Sequence, residues 1–157
     1  METGLEIANI EIPYGVLHDQ ILQKVVCRDN TMIFTFDVRL FPEDYNYGHD
    51  VYEKYLPYKH CDMIVEMSKE PWNSFLFETG VNKRGKFKGL CLNRADFLNI
   101  INDAFRATFV ECSATYREFK IELSIDLHNF KGNRRKYKKY DMCYITLDAA
   151  KVSWNWY

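Results

Sequence analysis

No apolar stretch in this sequence approaches the roughly 20 uninterrupted residues that a membrane-spanning helix needs, so no bilayer span is expected. No two of the five cysteines (Cys27, Cys61, Cys91, Cys112 and Cys143) stand at CxxC spacing. That excludes a zinc or redox pair of this kind, and reduced thiols in a cytoplasmic domain are expected. The first residues carry Glu2 and Glu6 but no Lys or Arg, unlike the basic start of a secretory leader. Nor is there an excess of one charge: 21 Lys and Arg stand against 22 Asp and Glu, a formal net charge of −1. Such a balance excludes the strong overall pull on phosphate typical of dedicated nucleic-acid proteins, though not a local basic patch.

Catalytic signatures are missing as well. Ser113 and Ser124 lack the strained Gly-x-Ser-x-Gly turn that exposes a nucleophilic hydroxyl. Gly80-Val81-Asn82-Lys83-Arg84-Gly85 has no Lys-Ser/Thr pair at Walker spacing and reads as a hairpin turn. The acidic loop with Glu43, Asp44 and Asp50 lacks the alternating oxygen ligands of a calcium site. No cofactor, metal or small-molecule ligand is therefore expected. There is no internal repeat or low-complexity linker. The loops at 42–48 and 132–135 are too short to divide the chain, so one domain over 1–157 is expected.

What the sequence does have is apolar and aromatic surface. Hydrophobic residues make up 47% and aromatic residues 16%. A chain of 157 residues buries about two-thirds of its unfolded surface, enough for a core without disulfides or metal. Eleven tyrosines are more than such a core readily holds, and some are expected on the surface, where Tyr is a common contact residue.

The dominant period is two. Met32, Phe34, Phe36, Val38 and Leu40 alternate with Ile33, Thr35, Asp37 and Arg39. Phe119, Ile121, Leu123, Ile125 and Leu127 alternate with Lys120, Glu122, Ser124 and Asp126. Successive side chains of a strand point to opposite faces, so each stretch reads as a strand with one buried and one wet face. That pattern belongs to antiparallel sheets. Further strands are predicted over 5–12, 21–27, 61–67, 74–79, 86–92, 105–112, 141–147 and 152–157. Arg28-Asp29-Asn30 supplies a tight turn between 21–27 and 31–41. One segment has helical spacing: Phe97, Leu98, Ile100, Ile101 and Ala104, with Asn93 as N-cap and Asp96 in the first turn. A second helical candidate, His49 to Tyr55, has no clear stripe. The fold class expected is α+β, mainly β: an antiparallel sandwich or curved sheet with one packed helix over about 94–104.

Four histidines are present. His18-Asp19 and His49-Asp50 repeat a dipeptide that serves acid–base or metal chemistry when further ligands converge on it. Nothing in the spacing joins the two pairs, and the simpler reading gives Asp19 a backbone-bonding role where a hairpin begins. His60-Cys61 offers two zinc-ligand types, but neighbours on a strand point to opposite faces and cannot share an ion. His128 ends the cleanest strand on its polar side. If His18, His49, His60 and His128 lie far apart, the dyad and metal readings both fail.

The sharpest local feature is KGNRRKYKKY, Lys131 to Tyr140, with six positive charges, two tyrosines and no acid. Arg and Lys bind phosphates and tyrosine rings stack on unpaired bases, so Arg134, Arg135, Lys136, Tyr137, Lys138 and Lys139 form the candidate nucleic-acid site. The simpler reading is a solvated hairpin tip that protects a sheet edge. In the tail, Trp154 and Trp156 share one strand face and either close the core beside the helix or, if exposed, form a partner patch.

Leu17, His18, Asp19 and Ile21, followed by Asp29, Asn30, Thr31, Met32, Phe34 and Phe36, form an LHDxI…D(D/N)TxxFxF pattern. It resembles a loose group of small bacterial proteins of unknown function, mostly from Firmicutes, some of them labelled immunity proteins of polymorphic toxin systems. A second echo is the helix expected over Asn93 to Ala104, followed by a β segment containing Tyr116 and a last aromatic strand, and together the resemblance covers about a quarter of the chain. It implies a cytosolic, mostly antiparallel domain that works by binding another protein, and it carries no catalytic residues. The basic stretch is not a feature of that group.

Together these readings give a non-enzymatic protein-binding module of the immunity or inhibitor kind, with Tyr45, Tyr47, Tyr52 and Tyr55 as expected contacts. The alternative is nucleic-acid binding through the basic aromatic loop. A third reading, an enzyme built on His18 and Asp19 or on a cysteine, requires those side chains to converge in one pocket.

Overall fold

The structure is a computed structural model of the chain. It describes residues 20–39, 55–68, 73–79, 84–86, 88–104, 108–110, 120–126, 140 and 142–157. The strand expected over 5–12 and, Tyr55 apart, the helical candidate over 49–55 lie outside these residues.

The described elements run in the order β1 (Gln20–Arg28), β2 (Thr31–Asp37), β3 (His60–Met67), β4 (Asn73–Glu78), β5 (Gly89–Leu92), α1 (Arg94–Ala104), β6 (Thr108–Val110), β7 (Lys120–Asp126) and β8 (Met142–Trp156). All the pairings among them are antiparallel. The eight strands follow the order β5-β4-β8-β3-β2-β1-β6, with β7 also paired to β8. β6 comes near β7 as well as pairing with β1, so the sheet curls. The fold is α+β, mainly antiparallel β, as the alternating pattern predicts.

The β1–β2 turn forms where the sequence places it. Asp29 takes a left-handed φ of 51°, which Asp and Asn tolerate better than most residues. Asn30 then ties the turn to the end of β3. Its carbonyl accepts from Met67 N at 2.8 Å, and its Nδ2 donates to the carbonyls of Met67 and Ser68 at 2.6 and 2.8 Å.

β8 organises the sheet. Its first half, up to Asp148, is flanked by β4 and β7, and its second half, from Ala149, pairs with β3. The sequence pattern predicts two strands here, over 141–147 and 152–157; the structure has one strand of 15 residues. The reason is a bulge. Glu66 faces Lys151 while Met67 faces Ala149, so Ala150 is an extra residue. Cys143, Ile145, Leu147 and Ala149 are buried at odd positions, and Val152 at an even one. By absorbing one residue, the bulge keeps both halves facing the same core, where strict alternation would turn Val152, Trp154 and Trp156 outward. β1 does the same on a smaller scale: Gln23 is the extra residue, and Leu22 and Val25, three apart, are both buried.

The core joins Met32, Phe34 and Phe36 of β2, Cys61, Met63 and Val65 of β3, Phe75 and Phe77 of β4, and the buried residues of β8. Burying each such large side chain contributes about 1.5–3 kcal/mol. α1 seals it with Phe97, Ile100 and Ile101. Phe97 stacks on Phe75, with ring centroids 4.3 Å apart and an interplanar angle of 15°. Asn93 caps the helix as its sequence predicts, accepting from Asp96 N at 2.8 Å through its side chain. On the far side of α1, the Asn102 amide meets β1: its Oδ1 accepts from Val25 N at 2.8 Å and its Nδ2 donates to Val25 O at 2.7 Å. Among the described residues β6 pairs with β1 at Gln20 to Leu22, and the Asn102 side chain supplies to Val25 the bonds that a neighbouring strand would make.

Candidate functional site

The end of β2, the start of β3 and the end of β8 meet at one margin of the sheet. Asp37 stands opposite His60, and Cys61 opposite Trp156. Backbone bonds extend the margin: His60 and Tyr157 exchange N–H···O bonds of 2.9 and 3.0 Å, and Val38 N donates to Lys59 O at 2.8 Å. Alternation sorts the side chains onto two faces. Cys61, Met63, Trp154 and Trp156 turn toward the core; Thr35, Asp37, His60, Asp62 and Tyr157 share the other face.

The outer face carries a polar network. His60 Nδ1 lies 3.0 Å from Asp37 Oδ1, and the other oxygen of Asp37 accepts from Gln23 Nε2. Asp62 Oδ1 accepts from Thr35 Oγ1 at 2.6 Å and from the Tyr157 hydroxyl at 3.5 Å. The rings of His60 and Tyr157 lie 5.3 Å apart. Partial desolvation and then the Asp62 carboxylate, through its charge and its hydrogen bond, hold the Tyr157 hydroxyl above the usual tyrosine range.

The core face of the same margin is aromatic. Trp156 packs on Tyr55 at 4.4 Å and on Tyr58 at 6.2 Å between centroids, and on Trp154 at 6.4 Å. Trp154 and Trp156 are half-buried against the core, while Tyr58 is 36% and Tyr157 52% exposed. The Trp154 indole Nε1 is buried without a hydrogen-bond partner among the described residues. The margin thus carries packed aromatic rings on its core face and Asp37, His60, Asp62 and Tyr157 on its outer face.

Of the contacts expected from the sequence, Tyr55 is part of this margin; Tyr45, Tyr47 and Tyr52 lie outside the described residues. So do Arg134, Arg135, Lys136, Tyr137, Lys138 and Lys139, and likewise His18, Asp19, His49, Asp50 and His128. Tyr140, the last residue of the basic stretch, is buried with its ring 5.9 Å from that of Phe77. His60 and Cys61 point to opposite faces as expected: Cys61 is fully buried, and the His60 side chain is 46% exposed. Among the described residues no group of three or more His, Cys, Asp or Glu is placed to hold a metal ion, and Cys27, Cys61, Cys91 and Cys143 form no disulfide. Burial pushes the Cys143 thiol far above the ordinary thiol range.

Sequence reasoning missed Asp37, Asp62, Tyr58 and Tyr157. Asp37 was visible as a wet-face residue. Its alignment with His60 and Tyr157 depends on the β2–β3 and β3–β8 registers, which no local turn announces. No protein-family model, curated protein or solved structure matches this chain.

Proposed function

We propose that the protein is a non-enzymatic binding module that engages another protein through the aromatic margin of its sheet, in the manner of an immunity or inhibitor protein that occludes its partner. The observation that carries this reading is the packing of Tyr55 and Tyr58 on Trp156 on one face of the margin, with Tyr157 beside His60 and Asp62 on the other; Tyr58 and Tyr157 are substantially exposed. Tyrosine and tryptophan in such a setting are the residues that dominate binding energy at protein interfaces, and a polar rim excludes water from them. The resemblance of the 17–36 segment to small bacterial proteins, some labelled immunity proteins, points the same way.

The test is capture from the native host at physiological salt with the wild-type chain and with a Tyr58→Ala, Tyr157→Ala double variant. Both side chains are exposed enough for the variant to keep its fold, which circular dichroism checks. A partner recovered by the wild type and lost with the variant supports the reading. Absence of any partner, or equal capture by both proteins, overturns it. Steeply salt-dependent binding of single-stranded RNA or DNA, weakened by Arg134→Ala and Arg135→Ala, would favour the nucleic-acid alternative instead.

A further inference from the structure

We draw no further inference here: the strongest candidate, the outer-face network of Asp37, His60, Asp62 and Tyr157 at the margin of the sheet, belongs to the site already described, and nothing in the structure shows what covers it.

Discussion

The side-chain amide of Asn102 is hydrogen-bonded to both backbone groups of Val25, across 77 residues of sequence. A helix thereby completes the edge of a strand. The same device appears at Gln20, whose amide accepts from Arg39 N at 2.6 Å and reaches Arg39 O at 3.4 Å, and at Asn30 against Met67 and Ser68. Three amides stand where a sheet would otherwise leave peptide groups unpaired.

Replacing Asn102 by Ala leaves the N–H and C=O of Val25 without these partners in a part-buried setting. Each unsatisfied group costs about 1–3 kcal/mol. We expect Asn102→Ala to lower the urea midpoint by an amount equivalent to about 2–4 kcal/mol, with an unchanged denaturant slope. A shift within the scatter of ordinary surface substitutions would show that the helix–strand amide bonds are dispensable.

Ala150 is exposed and fills the bulge in β8. Its side chain matters little, so Ala150→Ser is expected to change stability by less than about 0.5 kcal/mol. Its presence matters greatly: deleting it removes the register shift and turns Val152, Trp154 and Trp156 to the wet face. The deletion variant is expected to lose cooperative thermal unfolding. If it unfolds as the wild type does, the bulge is not what sets the facing of the last half-strand.

Tyr157 titrates above the ordinary tyrosine range of about pH 10, first through partial desolvation and then through Asp62. The folded chain thus holds this proton more tightly than the unfolded chain. The stability linked to it is complete below about pH 10 and is lost as pH rises through the higher folded value. Tyrosinate absorbance should show a late-titrating component that Tyr157→Phe removes and that Asp62→Asn moves down without abolishing its shift. A titration in which Tyr157→Phe removes only an ordinary component would contradict the hydroxyl's placement beside Asp62.

Much of the architecture was legible in the sequence where a local rule decides it. Alternation marked β2, β3 and β7, Asp29-Asn30 marked the first turn, and Asn93 with the Phe97–Ile101 stripe marked α1. What was not legible depends on two segments meeting. The break in alternation near Ala150 reads as the end of one strand and the start of another until β3 is laid beside it and the extra residue is seen as a bulge. The sequence reading paired Trp154 and Trp156 on one face. The structure sets Trp156 against Tyr55 and Tyr58, with Trp154 beside it, whereas the aromatic neighbours of Phe97 in α1 are Phe75 and Phe77. Of the candidate site, only Tyr55 and the tryptophan pair were foreseeable. Asp37, His60, Asp62 and Tyr157 come together through strand order, and a tyrosine-rich loop draws attention more readily than single residues spaced over 120 positions.

The claim that the aromatic margin is the binding surface is tested most directly by amide hydrogen exchange on the complex with the protein that capture recovers. The expected result is new protection confined to residues 55–62 and 153–157. Protection centred elsewhere, with those segments exchanging as in the free chain, would contradict it.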